Sequence, residues 1–286
     1  MKIEKVGVVG AGLMGAEIAL VFANAGKSVL LTDQSEERIN KAIDRLKALV
    51  DRGITRNLFA AEDKKRIFDN LKGTTRMEDF ADRDWVIEAV FENQDVKGEI
   101  FKKLDQICGP NCLLASNTSS ISLSVLASYV KPERRPKFLG AHFFSPVSRM
   151  KLVEVIPGFD TAEEVVALVI ATCKEAGKEP IRVKDVVGFA VNRMLHAFWV
   201  EAMRLVEEGV CTPEDIDKGC RLGLGHPVGP FELMDAVTNS LTLQVQEILY
   251  DAYGERFLPR PILKQMVKAG RDGKNVGRGW YTHAAK

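Results

Sequence analysis

Short apolar runs separated by segments of helical period organise the first half of the chain. KVGVV, SVLLT, DWVIEAV, CLLAS, KFLGAHFF and LVEVI are compact runs of Val, Leu, Ile and Phe. Their length and composition predict buried strands of a parallel sheet. Between them lie helical patterns such as AEIALVFANAG and KGEIFKKLDQI. Strand and helix in alternation predict an α/β domain with a mostly parallel, doubly wound sheet. From Glu36 to Lys72 the pattern is helical and charged, with Ile39, Ile43, Leu46, Leu49 and Val50 at helical spacing. This predicts a helical hairpin inserted into the α/β domain. At Lys184-Asp185-Val186-Val187-Gly188 the alternation ends and long helical patterns begin. The expected organisation is an α/β domain over residues 1–184 and an all-α domain over residues 185–286. In the second part, GFAVNRMLHAFWVEAMRLVEEGV predicts a helix ending at Gly209. Thr212-Pro213 predicts a helix start, and FELMDAVTNSLTLQVQEILYDAYG predicts a further helix.

The first candidate chemistry lies at the end of the first strand. Gly10-Ala11-Gly12-Leu13-Met14-Gly15 opens the first helix, and the next strand ends at Asp33. In a dinucleotide site Gly10 permits the tight turn, Gly12 lets backbone approach a diphosphate, and Gly15 lets helix and strand pack closely. The helix N-terminus offers N–H groups to the phosphates, and Asp33 can accept hydrogen bonds from the adenine ribose. Gln34 and Ser35, which follow, provide no cation for a 2′-phosphate, so the expected cofactor is NAD. A GxGxxG run alone can be a structural turn. Here the strand, the helix and the distant acid agree.

Strands of open α/β sheets present ligands at their carboxyl ends. Glu92 and Asn93, after DWVIEAV, are therefore expected near the nicotinamide end of the cofactor. Lys97 is expected to begin the next helix and reach a ribose hydroxyl. Asn117, Thr118, Ser119 and Ser120 follow the next apolar run and could instead cap a helix. The segment AHFFSPVSRMKLVEV carries a histidine and a glutamate where a plain core would carry Val or Leu. Ser145-Pro146 turns the chain between two strands, so His142 and Glu154 could meet. A buried carboxylate needs a partner, and an imidazole N–H is the natural one. Such a carboxylate fixes the tautomer of His142, and the other ring nitrogen can then take a proton from a substrate hydroxyl.

Composition narrows the partners. Lys and Arg number 40 against 39 Asp and Glu, which gives no sign of a nucleic-acid or membrane partner. The five cysteines are scattered, and the CxxxC of Cys108 and Cys112 has no further ligands at zinc spacing, so no metal is expected. No signal peptide and no spanning run is read in the sequence, and the expected location is cytoplasmic. His196, one turn after Asn192, is expected to pack, His226 to be structural, and His283 receives no role.

The chain resembles the L-3-hydroxyacyl-CoA dehydrogenases, including the bacterial 3-hydroxybutyryl-CoA dehydrogenases. The likeness runs nearly end to end through GVVGAGLMGAEIA, VIEAVFENQDVK, ASNTSS, GAHFFSPV, KLVEVI, VGFAVNRML, GLGHPVGPFELMD and GKNVGRGWY. The resemblance implies a Rossmann NAD-binding domain and a helical domain for substrate binding and dimerisation. It implies His142 as catalytic base, Glu154 as its partner, Ser119 bonding the substrate's 3-oxygen, and Asn192 as a second polar group near the reacting carbon. Gly10, Gly12, Gly15, Asp33, Glu92, Lys97 and Asn117 are the implied cofactor contacts. The substrate implied is an acyl-CoA, with the helical hairpin touching CoA through a basic residue such as Arg52, Arg56, Lys64 or Lys65. Ser145, at a position where many members have Asn, is an expected substrate-side residue. After GPFELMD the chain reads AVTNS where glycine is common. The alternatives are a dehydrogenase of a CoA-free 3-hydroxy acid and a non-catalytic cofactor-binding protein.

Overall fold

The computed structural model describes residues 2–284. The chain divides into two compact units, one ending at Val186 and one beginning at Val187. The first unit is built on one eight-stranded sheet. Its strands are β1 (Lys5–Val9), β2 (Ser28–Thr32), β3 (Leu71–Thr74), β4 (Trp85–Glu88), β5 (Leu113–Ser116), β6 (Phe138–Phe143), β7 (Leu152–Pro157) and β8 (Glu179–Arg182). They lie in the order β3-β2-β1-β4-β5-β6-β7-β8. Every neighbouring pair is parallel except β6 with β7. The helices of this unit are α1 (Leu13–Asn24), α2 (Glu36–Ile54), α3 (Asp63–Asn70), α4 (Gln94–Ile107), α5 (Leu123–Ala127) and α6 (Glu163–Glu175).

The apolar runs become strands because helices cover both faces of the sheet. Every residue of β4 and of β5 is buried, as expected when crossovers pack on both sides. Phe22 of α1 meets Trp85 and Phe143 edge-on, with ring centres 5.3 and 6.1 Å apart. The strand order reverses where β1 lies beside β4. That reversal opens a crevice at the carboxyl ends of the strands. Two strands had no signal in the sequence pattern. β3 (LKGT) and β8 (EPIR) are the two edges of the sheet, and edge strands are short and polar by physical need.

The hairpin forms as two helices. α2 buries Ile39, Ala42, Leu46 and Val50 along one stripe, and the hydroxyl of its N-cap Ser35 accepts from Arg38 N. α4 corrects one expectation, because it starts at Gln94 and not at Lys97. Asn93 is its N-cap, with Oδ1 accepting from Val96 N at 3.0 Å, so the Asn93 side chain serves the helix end.

The second unit is helical: α7 (Val191–Glu207), α8 (Pro213–Gly223), α9 (Pro230–Val237), α10 (Asn239–Tyr253) and α11 (Pro261–Lys268). Its core gathers Trp199, Met203, Phe231, Met234 and Leu263. Thr212 caps α8 by accepting from Asp215 N at 3.2 Å. The long helix expected from FELMDAVTNSLTL is in fact two, broken at Thr238, whose φ of 111° no helix allows. No described helix is long and apolar enough to cross a membrane.

Candidate active site

The antiparallel pairing of β6 with β7 sets His142 directly opposite Glu154. The imidazole Nδ1 lies 2.8 Å from Glu154 Oε2. Glu154 is fully buried and His142 nearly so. An ionised carboxylate only accepts, so Nδ1 carries the hydrogen and the neutral ring keeps its lone pair on Nε2. The Phe144 ring lies 4.6 Å from the imidazole and restrains its tilt. The turn between the strands is held from two sides. Ser148 N donates to Glu17 Oε2 of α1 at 2.8 Å. The buried Lys178 ammonium donates to the carbonyls of Val147 and Met150, and its burial lowers its pKa. Ser145 is exposed on this turn.

At the switch point the glycine turn has the shape of a diphosphate cradle. Gly10 has φ of 104°, and a Cβ there would stand 2.6 Å from Ala89 O. A Cβ on Gly15 would stand 1.9 Å from Gly10 O, whereas one on Gly12 would meet nothing within 4 Å. The turn is thus closed towards the sheet and open above Gly12, where α1 starts without a side-chain cap. These residues fit the diphosphate of a dinucleotide. Asp33 braces the turn, its Oδ2 accepting from Ala11 N and its Oδ1 from Gln34 N, both at 2.8 Å. Two arginines of α2 join it. Arg38 lies 3.3 Å from Asp33 Oδ1, and Arg45 donates to Gly12 O at 2.9 Å. Arg38, one helical turn after Ser35, is a cation paired with Asp33 itself, which a reading of adjacent residues misses.

Glu92, Lys97, Asn117 and Ser119 come together at the ends of β4 and β5. Glu92 Oε1 accepts from Thr118 Oγ1 at 2.6 Å, Ser119 N at 2.8 Å and Ser120 N at 3.0 Å. The Ser119 and Ser120 hydroxyls point to the same oxygen, at 3.4 and 3.0 Å. Burial raises the Glu92 pKa, but Lys97 and these hydrogen bonds outweigh it and the net value is lowered. Lys97 is buried and bonds Glu88 Oε1 at 2.7 Å, with Glu92 Oε2 at 3.3 Å. Asn117 Oδ1 accepts from Phe143 N at 2.8 Å and so ties β5 to the end of the His142 strand. The hydroxyl of Ser122, rather than those of the preceding Ser and Thr, caps α5.

Lys64 pairs with Asp51 and Lys65 with Asp69, each at 2.6 Å. Asn192 sits half-buried in the first turn of α7 in the second unit. His196 is buried against Trp199, with ring centres 4.9 Å apart. His226 is exposed. His283, given no role by the sequence, bonds the fully buried Asp235 at 2.7 Å. Glu88 was also missed, although an acid inside DWVIEAV is the same signal that revealed Glu154.

Known proteins share this two-part organisation. The NAD-binding domain of 3-hydroxyacyl-CoA dehydrogenase matches residues 5–186, and its C-terminal domain matches residues 188–283. A probable 3-hydroxybutyryl-CoA dehydrogenase of Deinococcus radiodurans is 39% identical, covering 98% of this chain and 100% of that protein. A 3-hydroxyadipyl-CoA dehydrogenase of Escherichia coli is 40% identical, covering 100% of this chain and 60% of that protein. The crystal structure of the (S)-3-hydroxybutyryl-CoA dehydrogenase of Ralstonia eutropha superposes with a TM-score of 0.95 at 40% identity, covering 99% of this chain and 100% of that one. The chain belongs to the 3-hydroxyacyl-CoA dehydrogenase family, and its cofactor is NAD.

Proposed function

We propose that the protein interconverts an L-3-hydroxyacyl-CoA and the 3-oxoacyl-CoA, with His142 as general base and acid. The observation that carries the reading is the buried His142–Glu154 contact of 2.8 Å at the strand ends. Bound NAD⁺ supplies the hydride acceptor. In the oxidation His142 Nε2 takes the hydroxyl proton as the hydride leaves the same carbon. Glu154 stabilises the imidazolium that results. In reduction the same nitrogen returns the proton to the developing alkoxide. Ser119 and Asn192 orient the substrate's 3-oxygen, and Ser145 is on the substrate side. Gly10, Gly12, Gly15 and Asp33 hold the adenosine diphosphate half of the cofactor. Glu92, Lys97 and Asn117 shape its nicotinamide end.

The physiological setting proposed is cytoplasmic breakdown of fatty or related acyl-CoA thioesters by a homodimer joined through the second unit. Initial rates of NADH oxidation with acetoacetyl-CoA and with free acetoacetate test the thioester requirement. Rates at least tenfold higher with the thioester are expected, and equal rates would transfer the reading to a CoA-free 3-oxo acid.

A further inference from the structure

Beneath the loop that carries Ser119 lies a buried carboxylate, that of Glu88, which the proposed chemistry does not use. Glu88 ends β4 and is 0% exposed. Each of its carboxylate oxygens is committed. Oε1 accepts from Val90 N at 2.6 Å and from the Lys97 ammonium at 2.7 Å. Oε2 accepts from the Ser116 hydroxyl at 2.6 Å.

Two arms run from Glu88 to one loop. One passes through Lys97 to Glu92 Oε2, 3.3 Å away, while Glu92 Oε1 gathers the Thr118, Ser119 and Ser120 donors. The other passes through Ser116, whose hydroxyl oxygen accepts from Thr118 N at 3.2 Å. A fully buried carboxylate costs several kcal/mol unless it is paired and hydrogen-bonded. A plain core would carry an apolar residue at position 88, as at positions 85 to 87. The arrangement makes sense as a device that holds the loop.

We propose that Glu88 is a positioning residue: through Lys97 and Ser116 it fixes Glu92 and the 118–120 loop, and so the Ser119 hydroxyl. The inference rests on the reading of Ser119 as the group that bonds the substrate oxygen. The groups facing Glu92 are Lys97 from α4, Glu88 of β4 behind that ammonium, the Thr118 hydroxyl, and the hydroxyls and N–H groups of Ser119 and Ser120 after β5. Removing charge from this set must change how easily Glu92 is protonated, and the direction depends on which charge is removed. In Glu88→Gln, Lys97 answers to Glu92 alone, and Glu92 stays ionised to lower pH than in the parent. In Glu88→Gln/Lys97→Met no cation remains, burial governs Glu92, and it protonates at higher pH.

The experiment is acetoacetyl-CoA reduction by NADH, followed between about pH 5 and pH 8, with thermal melts of each variant. The double variant replaces an ion pair by neutral groups of similar size, a change that buried sites tolerate, so it reports even where the single variant fails to fold. Displacement of a positioning contact by about 1 Å costs up to roughly a hundredfold in rate. We therefore expect kcat to fall at least tenfold in both variants. The ratio of rates at pH 5 and pH 7 should fall at least threefold below the parent's in the double variant and should not fall in Glu88→Gln. Unchanged kcat in a folded double variant overturns the proposal. Equal pH ratios in parent and both variants overturn it too, because they leave only a structural role. Ser119→Ala separates the two levels. If it loses turnover while the Glu88 variants keep it, the Ser119 reading stands and the Glu88 inference fails. If it keeps full turnover, both fail.

Discussion

Among the described residues two histidine–carboxylate pairs occur, one in each unit, at nearly the same distance. His142 and Glu154 meet at 2.8 Å, His283 and Asp235 at 2.7 Å, and both carboxylates are fully buried. Their surroundings differ. Glu154 lies in β7, and its position opposite His142 is dictated by the register of two neighbouring strands. Asp235 ends up as the anchor of a chain segment. Its oxygens accept from Trp280 N at 2.8 Å and Tyr281 N at 2.9 Å as well as from His283. Gly279 is packed so closely that a Cβ there would stand 2.0 Å from Asp235 Oδ1. A buried histidine–carboxylate contact is therefore not a catalytic signature by itself. In the proposed reading, its position at the end of a sheet that also builds a cofactor cradle gives the first pair its chemistry, and the backbone bonds of the second give it a structural task.

The strongest test separates these tasks. General acid–base catalysis contributes roughly a hundred- to ten-thousand-fold. His142→Ala is expected to lower kcat for acetoacetyl-CoA reduction by about a thousandfold, and Glu154→Gln by about a hundredfold. NADH binding, read by fluorescence titration, should remain. Full turnover in His142→Ala would remove the distinction between the pairs.

The converse variant is Asp235→Ala. It leaves two backbone N–H groups and the His283 ring without their acceptor. The expected cost is about 3 kcal/mol, a fall in melting temperature of roughly 5 to 10 °C. Turnover per folded molecule should be unchanged. A melting temperature equal to the parent's would show that the segment docks without Asp235.

His196 is a buried histidine with no carboxylate against its Nδ1. Among the described residues, His196 Nδ1 has no hydrogen-bond partner. Burial lowers its pKa from 6.5 to about 4. The unfolded chain then binds a proton that the folded chain refuses. Stability from this group is complete above pH 6.5 and is lost as pH falls towards 4, by about 2 kcal/mol at pH 5. Thermal melts near neutral pH and near pH 5 should show a smaller acid loss in His196→Phe than in the parent. An equal loss in both would mean that His196 is protonated without penalty.

These pairs also show what a sequence can reveal. His142 and Glu154 were legible because they are twelve residues apart on strands joined by one turn, and alternation places them on one face. The glycine turn and Asp33 were legible for the same reason, since a single βαβ unit contains them. Asp235 and His283 are 48 residues apart with no periodic pattern linking them, so their meeting is a product of tertiary packing. Arg45 contacts Gly12 across 33 residues, and its helix read only as a solvated amphipathic face. Glu88, an acid in an apolar run, went unread, and its partner Lys97 comes from a helix, so no register predicts that contact. The edge strands β3 and β8 lacked an apolar run because an edge strand does not need one.

The smallest test concerns the helix break next to Asp235. The AVTNS segment places Thr238 at φ of 111°. A β-branched residue is strained in that region by about 1 to 3 kcal/mol, whereas glycine is not. Thr238 compensates in part, because its hydroxyl caps α10 by accepting from Leu241 N at 3.3 Å. Replacing a Thr cap by Gly costs only a few tenths of a kcal/mol, and the added freedom of the unfolded chain costs roughly 0.5 to 1 kcal/mol. Relief of strain should outweigh both. Thr238→Gly is expected to stabilise the protein by up to about 1 kcal/mol, seen as a rise of a few degrees in melting temperature. The gain should add to the loss in Asp235→Ala if strain and segment docking act separately. A lower melting temperature in Thr238→Gly would show that the hydroxyl cap matters more than the strained backbone, and the second unit would then owe its stability to side-chain anchors at both sites.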